Sequence, residues 1–186
     1  MKISDYIFKI LVLGKASSGK TSLVDQFAKS VFFKKYNPTL GLNLVSKIIM
    51  IDDRSINLSI WDTGGSYDFD KLTYFYFKGS SGAIIVIDST DPKSIQKLDK
   101  YIRSIEAQCS HIPIVIALNK SDIGVKSQEE VETVIKPWRK HWRKSIELIE
   151  CSAKLGENVV EIFTSISSEI LQEVIEDEKF DVNEYI

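Results

Sequence analysis

The chain has 186 residues, of which 44% are hydrophobic and 27% are charged, so it can form one globular domain with a packed core. Its formal net charge of -2 at pH 7 argues against a nucleic-acid-binding protein that depends on phosphate contacts. The two cysteines, Cys109 and Cys151, lack metal-ligand spacing and suit a reducing compartment, and no apolar segment is long enough to span a membrane.

The first predicted elements are a strand, a glycine-rich turn and a helix. Residues 7–13 are mostly apolar and predict a buried strand, and Leu23, Val24 and Phe27 recur at helical spacing. The turn fits the pattern G-x-x-x-x-G-K-S/T, which is typical of a phosphate-binding loop. The loop consists of Gly14, Lys15, Ala16, Ser17, Ser18, Gly19, Lys20 and Thr21, and Ser22 follows it.

This loop suits a chain of phosphates, because its glycines let the backbone pass close to an anion. The helix that follows directs free N–H groups and its positive dipole end at the same point. Lys20 adds a positive charge for the terminal phosphates, and the Thr21 hydroxyl can bind Mg²⁺. An ordinary glycine turn is the alternative, and the strand and helix around the loop count against it.

A loop, a hairpin and an aromatic segment come next. Residues 31–44 have no clear period, so we predict a long surface loop. Strands are predicted at residues 45–51 and 56–60, with a tight turn at residues 52–54 between them. Residues 66–81 are rich in aromatic side chains and are predicted to be irregular.

Three further strands are predicted at residues 83–87, 112–118 and 146–149. Because strands alternate with helical patterns, the sequence predicts an α/β fold with a mostly parallel six-stranded sheet and one antiparallel edge hairpin. In such sheets the ligand lies beyond the carboxyl ends of the strands. The polar motifs of this sequence follow strands at that position.

Three helices are predicted among and after these strands. The first begins at Asp91 and Pro92, a cap residue and a residue suited to the first helical position. Ser127 has capping-box spacing to a glutamate and begins the second helix, which Pro137 should kink or restart. The third helix begins near Asn158.

Asp62 ends a predicted strand and precedes two glycines, Gly64 and Gly65. A carboxylate there can hold Mg²⁺ directly or through water, and an N–H of the turn could meet a terminal phosphate. A plain tight turn is the alternative. The phosphate-binding loop in the same chain favours the metal-binding interpretation.

Two segments after later strands could bind a base. The Asp122 carboxylate can accept two hydrogen bonds from guanine, at its ring N–H and its exocyclic amine, and adenine offers no such pair. Asn119 can brace the surrounding loops, and the stem of Lys120 can cover the ring. A main-chain N–H at Ala153, between Ser152 and Lys154, could donate to the guanine oxygen. In isolation both segments could be ordinary turns.

The order of these motifs resembles the Ras superfamily of small GTPases over about residues 7–175. A loop containing Thr39 lies between the phosphate-binding loop and the Asp-x-Gly-Gly segment, and Asn-Lys-x-Asp and Ser-Ala-Lys follow. The segments around Thr39 and Trp61 are most similar to the Rab and Ras branches, and Gly64-Gly65 also resembles the Arf branch. The resemblance implies a P-loop NTPase fold with three α/β/α layers.

The resemblance also implies GTP or GDP and Mg²⁺ as ligands. Lys20 would contact the β- and γ-phosphates, and Thr21 and Thr39 would bind Mg²⁺, with Asp62 acting through water. The N–H of Gly65 would donate to the γ-phosphate. The other implied nucleotide contacts are Gly14, Ala16, Ser17, Ser18, Gly19, Ser22, Phe32 (an aromatic that packs against guanine), Asn119, Lys120, Asp122, Ser152, Ala153 and Lys154.

Residues 32–43 and 62–77 would be the two switch segments, which the γ-phosphate orders. Effectors, exchange factors and activating proteins would bind there, and we expect a monomer.

Two positions depart from the family pattern. Ser66 stands where most members have a glutamine that orients the attacking water, and serine is too short to reach that water. Ala16 stands where many relatives have glycine, and its methyl group crowds the space for that glutamine and for an arginine finger. We therefore predict slow hydrolysis, with Lys20, Thr39, Gly65 and Ser66 around the reacting phosphate. A GTP-bound scaffold that does not hydrolyse and a P-loop kinase or ATPase are the alternatives.

The ends of the sequence carry no signal peptide, no myristoylation pattern and no C-terminal cysteine for prenylation. We therefore expect a cytoplasmic protein without a lipid anchor, whose membrane contact is weak or made through partners. Residues 1–175 are expected to form the nucleotide-binding domain. Residues 176–186 are expected to form an acidic, loosely held tail.

Overall fold

The strands of the chain form one mixed sheet, and the helices between and after them pack against it. The structure is a computed structural model that describes residues 4–29, 33–37, 42–63, 74–109, 111–124 and 127–183. Its strands are β1 (Tyr6–Leu13), β2 (Phe33–Asn37), β3 (Leu42–Ile51), β4 (Arg54–Asp62), β5 (Gly82–Asp88), β6 (Ile114–Asn119) and β7 (Ile146–Glu150). Its helices are α1 (Lys20–Phe27), α2 (Tyr74–Phe77), α3 (Pro92–Gln96), α4 (Leu98–Cys109), α5 (Gln128–His141) and α6 (Val159–Asn183), with a 3-10 helix at Ser121–Ile123.

The described strands lie in the order β2-β3-β4-β1-β5-β6-β7. β1 pairs in parallel with β4 and β5, and parallel pairing continues from β5 to β6 and from β6 to β7. β3 pairs antiparallel with β2 and with β4. The predicted α/β fold is therefore confirmed, and the carboxyl ends of the five parallel strands meet at one edge of the sheet.

The described sheet has one strand more than the sequence predicts. Phe33–Asn37 lies inside residues 31–44, for which the sequence predicts a loop, and it pairs antiparallel with β3. β3 itself begins at Leu42 rather than at residue 45. The loop prediction is wrong here because main-chain pairing with one neighbour is enough to form an edge strand. Such a strand needs no apolar alternation, and lysines are typical of it.

Two apolar layers hold the helices against the sheet. On one face α1 and α6 cover β1 and β4, and Phe27 and Phe163 stack there with ring centroids 3.9 Å apart. On the other face α4 and α5 pack on β5 and β6, and the buried Trp138 and Trp142 belong to that layer. Helices, sheet and helices make the three predicted layers.

Two predicted local features are confirmed. Asp52 and Asp53 join β3 to β4 with φ values of 46° and 64°, in the left-handed region that a two-residue hairpin turn requires. Asp91 caps α3, because its carboxylate accepts a hydrogen bond of 3.0 Å from the Lys93 N–H. The cap lies just after β5, at the edge of the sheet where the parallel strands end.

The structure differs from one helix prediction, excludes the restart of a second helix at its proline, and extends a third helix. Ser127 precedes α5, but its hydroxyl donates to the Ser89 carbonyl oxygen (2.8 Å) and makes no hydrogen bond to the helix end, so a tertiary contact replaces the capping box. α5 does not restart at Pro137 but continues through it as one helix. α6 continues to Asn183, into the segment 176–186. None of the described helices has the length and apolar character that a membrane span requires.

Candidate functional site

The phosphate-binding loop joins β1 to α1 at the carboxyl edge of the sheet. Gly14 and Gly19 have φ values of 148° and 96°. A Cβ atom on Gly14 would lie 2.4 Å from the Val86 carbonyl oxygen, and one on Gly19 would lie 2.2 Å from Nδ2 of Asn119. These two positions therefore require glycine both for backbone conformation and for space.

Lys20 is a buried cation at the start of α1, with only 3% of its surface exposed. Its Nζ donates to the carbonyl oxygens of Gly14 (2.9 Å) and Lys15 (3.0 Å). Burial lowers the pKa of Lys20, and the negative charge of Asp62 opposes that shift. An anion in the loop would stabilise the ammonium, and the N–H groups of the first helical turn, which have no acceptor within the helix, could bind the same anion.

A hydroxyl and a carboxylate lie together beside this loop. Thr21 Oγ1 donates to Asp62 Oδ2 over 2.7 Å, and Asp62 is buried. In the parallel pairing of β4 with β1, Asp62 lies opposite Val12, which is near the end of β1, just before the phosphate-binding loop. Hydroxyl and carboxylate oxygens are ligands that Mg²⁺ prefers, and in phosphate sites one or two protein ligands suffice, because phosphates and waters complete the shell. Among the residues that the structure describes, no cluster of three or more His, Cys, Asp or Glu could hold a metal.

Two adjoining cavities extend from the loop. One, of about 270 Å³, lies along the phosphate-binding loop and the start of α1. The other, of about 330 Å³, lies between the segments that contain Asn119 and Ala153. Gly19, Ser22 and Lys120 line both cavities. We call the two cavities together the groove; it leads from the phosphate-binding loop to the predicted base-binding residues.

Asn119, at the end of β6, connects three loops around this groove. Its Nδ2 donates to the Ser18 carbonyl oxygen (2.9 Å), and its Oδ1 accepts the N–H of Ala153 (2.9 Å). Only 2% of Asn119 is exposed. The predicted donor to the guanine oxygen, the Ala153 N–H, is thus engaged with Asn119 in this structure.

The carboxylate of Asp122 borders the second cavity. Its Oδ1 accepts a hydrogen bond of 2.8 Å from the Ser152 hydroxyl, and Lys154 Nζ lies 3.6 Å from its Oδ2. The Ser152 hydrogen bond is the main cause that holds the pKa of Asp122 below its ordinary value, and Lys154 adds to it. Asp122 is therefore an ionised acceptor at neutral pH.

Lys120 is held by a residue that the sequence motifs do not single out. Its backbone is left-handed, with φ of 72°, and its Nζ lies 2.5 Å from Asp88 Oδ2. Asp88 Oδ1 also accepts from the Thr90 N–H and hydroxyl. Asp88 ends β5 just as Asp62 ends β4, so its place at a strand end is the signal that the sequence offers for it.

The phosphate-binding loop has a similar partner after β5, since Lys15 Nζ lies 2.6 Å from Asp91 Oδ2. Ala16 and Ser17, which belong to the same loop, are exposed.

Four predicted site residues, Phe32, Thr39, Gly65 and Ser66, lie outside the described residues. Of the predicted switch segments, the structure describes only residues 33–37, 42–43, 62–63 and 74–77.

The sequence of this chain is similar to those of known proteins of one family. A model of the Ras family matches residues 9–172. Ras-related protein Rab-7b of Mus musculus is 36% identical over 167 residues, which are 88% of this chain and 82% of that protein. This chain belongs to the Ras family. Ras-related protein Rab-13 of Canis lupus familiaris is 34% identical over 171 residues, 91% of this chain and 83% of that protein. Ras-related protein Rab-7a of Paramecium octaurelia is 32% identical over 179 residues, 94% of this chain and 86% of that protein.

The Ras-family assignment covers the whole groove. The matched residues include the phosphate-binding loop, Asp62, the Asn119–Asp122 segment and the Ser152–Lys154 segment. Similarity to Rab proteins over most of each chain makes this a Rab-like small GTPase, a GTP-binding switch protein of the Ras superfamily.

Proposed function

We propose that this Rab-like GTPase binds GTP and GDP together with Mg²⁺ and hydrolyses GTP slowly. One observation carries the proposal: the groove joins the buried Lys20 and the Thr21–Asp62 pair to the carboxylate of Asp122. A cation, a pair of hard oxygen ligands and an ionised acceptor suit the phosphates, the metal and the base of one guanine nucleotide.

The phosphate end of the ligand would lie against the phosphate-binding loop. Lys20 would bind the β- and γ-phosphates, and Thr21 and Asp62 would hold Mg²⁺ together with Thr39. When bound, Mg²⁺ would neutralise part of the phosphate charge. The Thr21–Asp62 hydrogen bond of 2.7 Å supports this assignment, because it keeps both oxygens at one point.

The base would lie in the second cavity. Asp122 would accept the ring N–H and the amine of guanine, and the stem of Lys120 would cover the ring from its position against Asp88. The N–H of Ala153 would reach the guanine oxygen by sharing its hydrogen bond with Asn119 Oδ1 or by exchanging it.

Hydrolysis would be an in-line attack of water on the γ-phosphate, with GDP as the leaving group. Lys20 and main-chain N–H groups, including that of Gly65, would stabilise the charge that develops on the phosphate oxygens. Ser66 is too short to orient the water as a glutamine would. The methyl group of Ala16, which is exposed, would narrow the space for an arginine finger. These two residues support a slow rate. They also favour the second candidate function, a GTP-bound module that does not hydrolyse.

Effectors, exchange factors and activating proteins would bind residues 32–43 and 62–77 of a monomer. One aromatic anchor there supports the proposal: Phe75 is 59% exposed, and its ring lies 5.9 Å from that of Trp61. A P-loop kinase or ATPase is disfavoured, because an adenine site has no use for the ionised carboxylate of Asp122.

The decisive experiment is single-turnover hydrolysis of preloaded GTP in Mg²⁺. We expect a measurable rate below about 10⁻⁴ per second, the order of intrinsic turnover in small GTPases that have the glutamine, and a faster rate for Ser66→Gln. Lys20→Ala, which should not retain nucleotide, is the control for binding. GTP that stays intact for many hours would support the non-hydrolysing module, and equal rates for wild type and Ser66→Gln would contradict the role assigned to the missing glutamine.

A further inference from the structure

The loop after β5 reaches the phosphate-binding loop through one ion pair. Lys15 Nζ lies 2.6 Å from Asp91 Oδ2, and the two side chains are only 31% and 25% exposed. The Lys15 ammonium is the main cause that lowers the pKa of Asp91. The pair therefore joins two charged groups that are partly shielded from water.

Asp91 is held in place independently of Lys15. Its Oδ1 accepts the Lys93 N–H (3.0 Å) and so caps α3, and its own N–H donates to the Asp88 carbonyl oxygen (3.1 Å). Because the second carboxylate oxygen is the one that meets Lys15, Asp91 can cap the helix and anchor the lysine at once. The anchor is fixed to β5 and α3 rather than to the phosphate-binding loop.

Lys15 in turn contacts Lys20 through its main chain. The Lys15 carbonyl oxygen accepts from Lys20 Nζ (3.0 Å) and from the Ser18 N–H (3.2 Å). A displacement of Lys15 would therefore move an acceptor of the buried ammonium and would open the turn that ends at Ser18. The contacts form a continuous path from Asp91 through Lys15 to Lys20.

The loop has a conformation that needs such support. Gly14, Ser17 and Gly19 have φ values of 148°, 66° and 96°. For Ser17, which is not a glycine, this conformation is sparsely populated and persists where surrounding contacts determine it. Gly14 is fixed by its close approach to β5, and Gly19 by Asn119. The Lys15–Asp91 pair fixes the part of the loop that follows Gly14.

We propose that Asp91 is a positioning residue for nucleotide binding, which acts through Lys15 to hold the phosphate-binding loop, and with it Lys20, in the shape that receives the phosphates. The proposal rests on the proposed function, since it concerns the affinity of the same groove. Asp91 itself is not among the described residues that line the groove.

The test is the dissociation rate of a fluorescent GDP analogue in Mg²⁺. Asp91→Asn keeps an oxygen for the Lys93 N–H but removes the charge, and Lys15→Met removes the ammonium but leaves the α3 cap intact. Each is expected to speed dissociation by about fivefold, the upper range for a partly exposed ion pair. The double variant should be no faster than either single variant, because both remove the same contact.

Glu173→Gln is the matched control. It breaks the Lys144–Glu173 pair, which has similar exposure (35% and 26%) and does not involve the groove, so its dissociation rate should equal that of the wild type. The preference of each variant for GDP over XDP should stay at the wild-type ratio, since Asp122 is untouched. Thermal unfolding without nucleotide should differ little between Asp91→Asn and the control.

Rates for Asp91→Asn and Lys15→Met within twofold of the wild type would overturn the proposal, as would effects that multiply in the double variant. A wild type and a Glu173→Gln variant that fail to retain GDP would overturn the proposed function as well. Should Asp91→Asn fail to fold, Lys15→Met alone decides, because the helix cap remains in that variant.

Discussion

At the scale of single residues, base selection depends on the carboxylate of Asp122. Ser152 fixes one of its oxygens through a hydrogen bond of 2.8 Å, and Lys154 lies 3.6 Å from the other. Both neighbours favour the ionised form, which can accept but not donate. A carboxylate held in this way presents lone pairs to two adjacent N–H groups, the pattern that guanine has and adenine lacks.

Asp122→Asn is therefore expected to weaken GDP binding by about 100-fold or more, because an amide cannot accept from both guanine donors. The same change should improve XDP binding, since xanthine has an acceptor where guanine has its amine. Titration with fluorescent nucleotides measures both effects, and Asp53→Asn in the β3–β4 turn is the control. Unchanged GDP affinity in Asp122→Asn would remove Asp122 from the base site.

The sequence predicts some residues of the groove much better than others. Lys20, Thr21 and Asp122 are predictable because each has a fixed place in a motif that follows a strand. The ion pairs of Asp88 and Asp91 are not predictable, because their partners are 32 and 76 residues away along the chain, and no local pattern records such pairs. Which carboxylate meets which lysine depends on how the loops pack after the sheet has formed.

At the scale of elements, the main chain of the loop between β1 and α1 packs closely against β5 at Gly14. A Cβ atom on Gly14 would meet the Val86 carbonyl oxygen at 2.4 Å, and that oxygen belongs to main chain that cannot move aside easily. The position also requires φ of 148°. Gly79 shares a positive φ of 71°, but a Cβ atom there would meet none of the described residues within 4 Å.

Gly14→Ala is expected to lower the free energy of unfolding by about 2–4 kcal/mol, through backbone strain and overpacking together. Gly79→Ala is the matched control and should cost only about 1–2 kcal/mol, the strain alone. Denaturant unfolding of the nucleotide-free proteins measures both values. Equal losses for the two variants would show that the contact with β5 adds nothing.

Elements are predictable from the sequence where side-chain periodicity decides the structure. The consecutive buried residues of β5 and β6 and the spacing along α4 are visible in the sequence. β2 is not predictable in this way, because its pairing with β3 is a main-chain interaction. The capping box at Ser127 does not form: the hydroxyl instead donates to a distant carbonyl oxygen, that of Ser89, and this contact directs the side chain away from the helix end. In both cases a tertiary contact decides the local structure.

At the scale of the whole molecule, the carboxylates of Asp88, Asp91 and Asp122 connect the loops at one edge of the sheet through hydrogen bonds and ion pairs. Lys15 lowers the pKa of Asp91, and the Ser152 hydroxyl lowers that of Asp122. Burial raises the pKa of Asp88, but its hydrogen bonds from Lys120 and Thr90 outweigh burial, so that its pKa also lies below the ordinary value of 3.8. The ionised forms of all three groups therefore stabilise the folded state.

This sets the direction of the response to acid. Because the folded state releases these protons at lower pH than the unfolded state does, their contribution to stability is complete above the ordinary pKa of 3.8. It is lost as the pH falls through the lower values of the folded state. The midpoint of urea unfolding should thus decrease steeply below about pH 4 for the nucleotide-free wild type.

A variant with Asp88→Asn, Asp91→Asn and Asp122→Asn should be less stable than the wild type at pH 7. Below about pH 4 it should lose less stability than the wild type does, because asparagine takes up no proton when the protein unfolds. Asp52→Asn with Asp53→Asn, in the β3–β4 turn at the opposite end of the sheet, is the control for the loss of negative charge alone. If the triple variant followed the wild-type curve, acid sensitivity would arise elsewhere in the molecule. A flatter curve would instead show that the ion pairs and hydrogen bonds around the groove also hold the fold together at neutral pH.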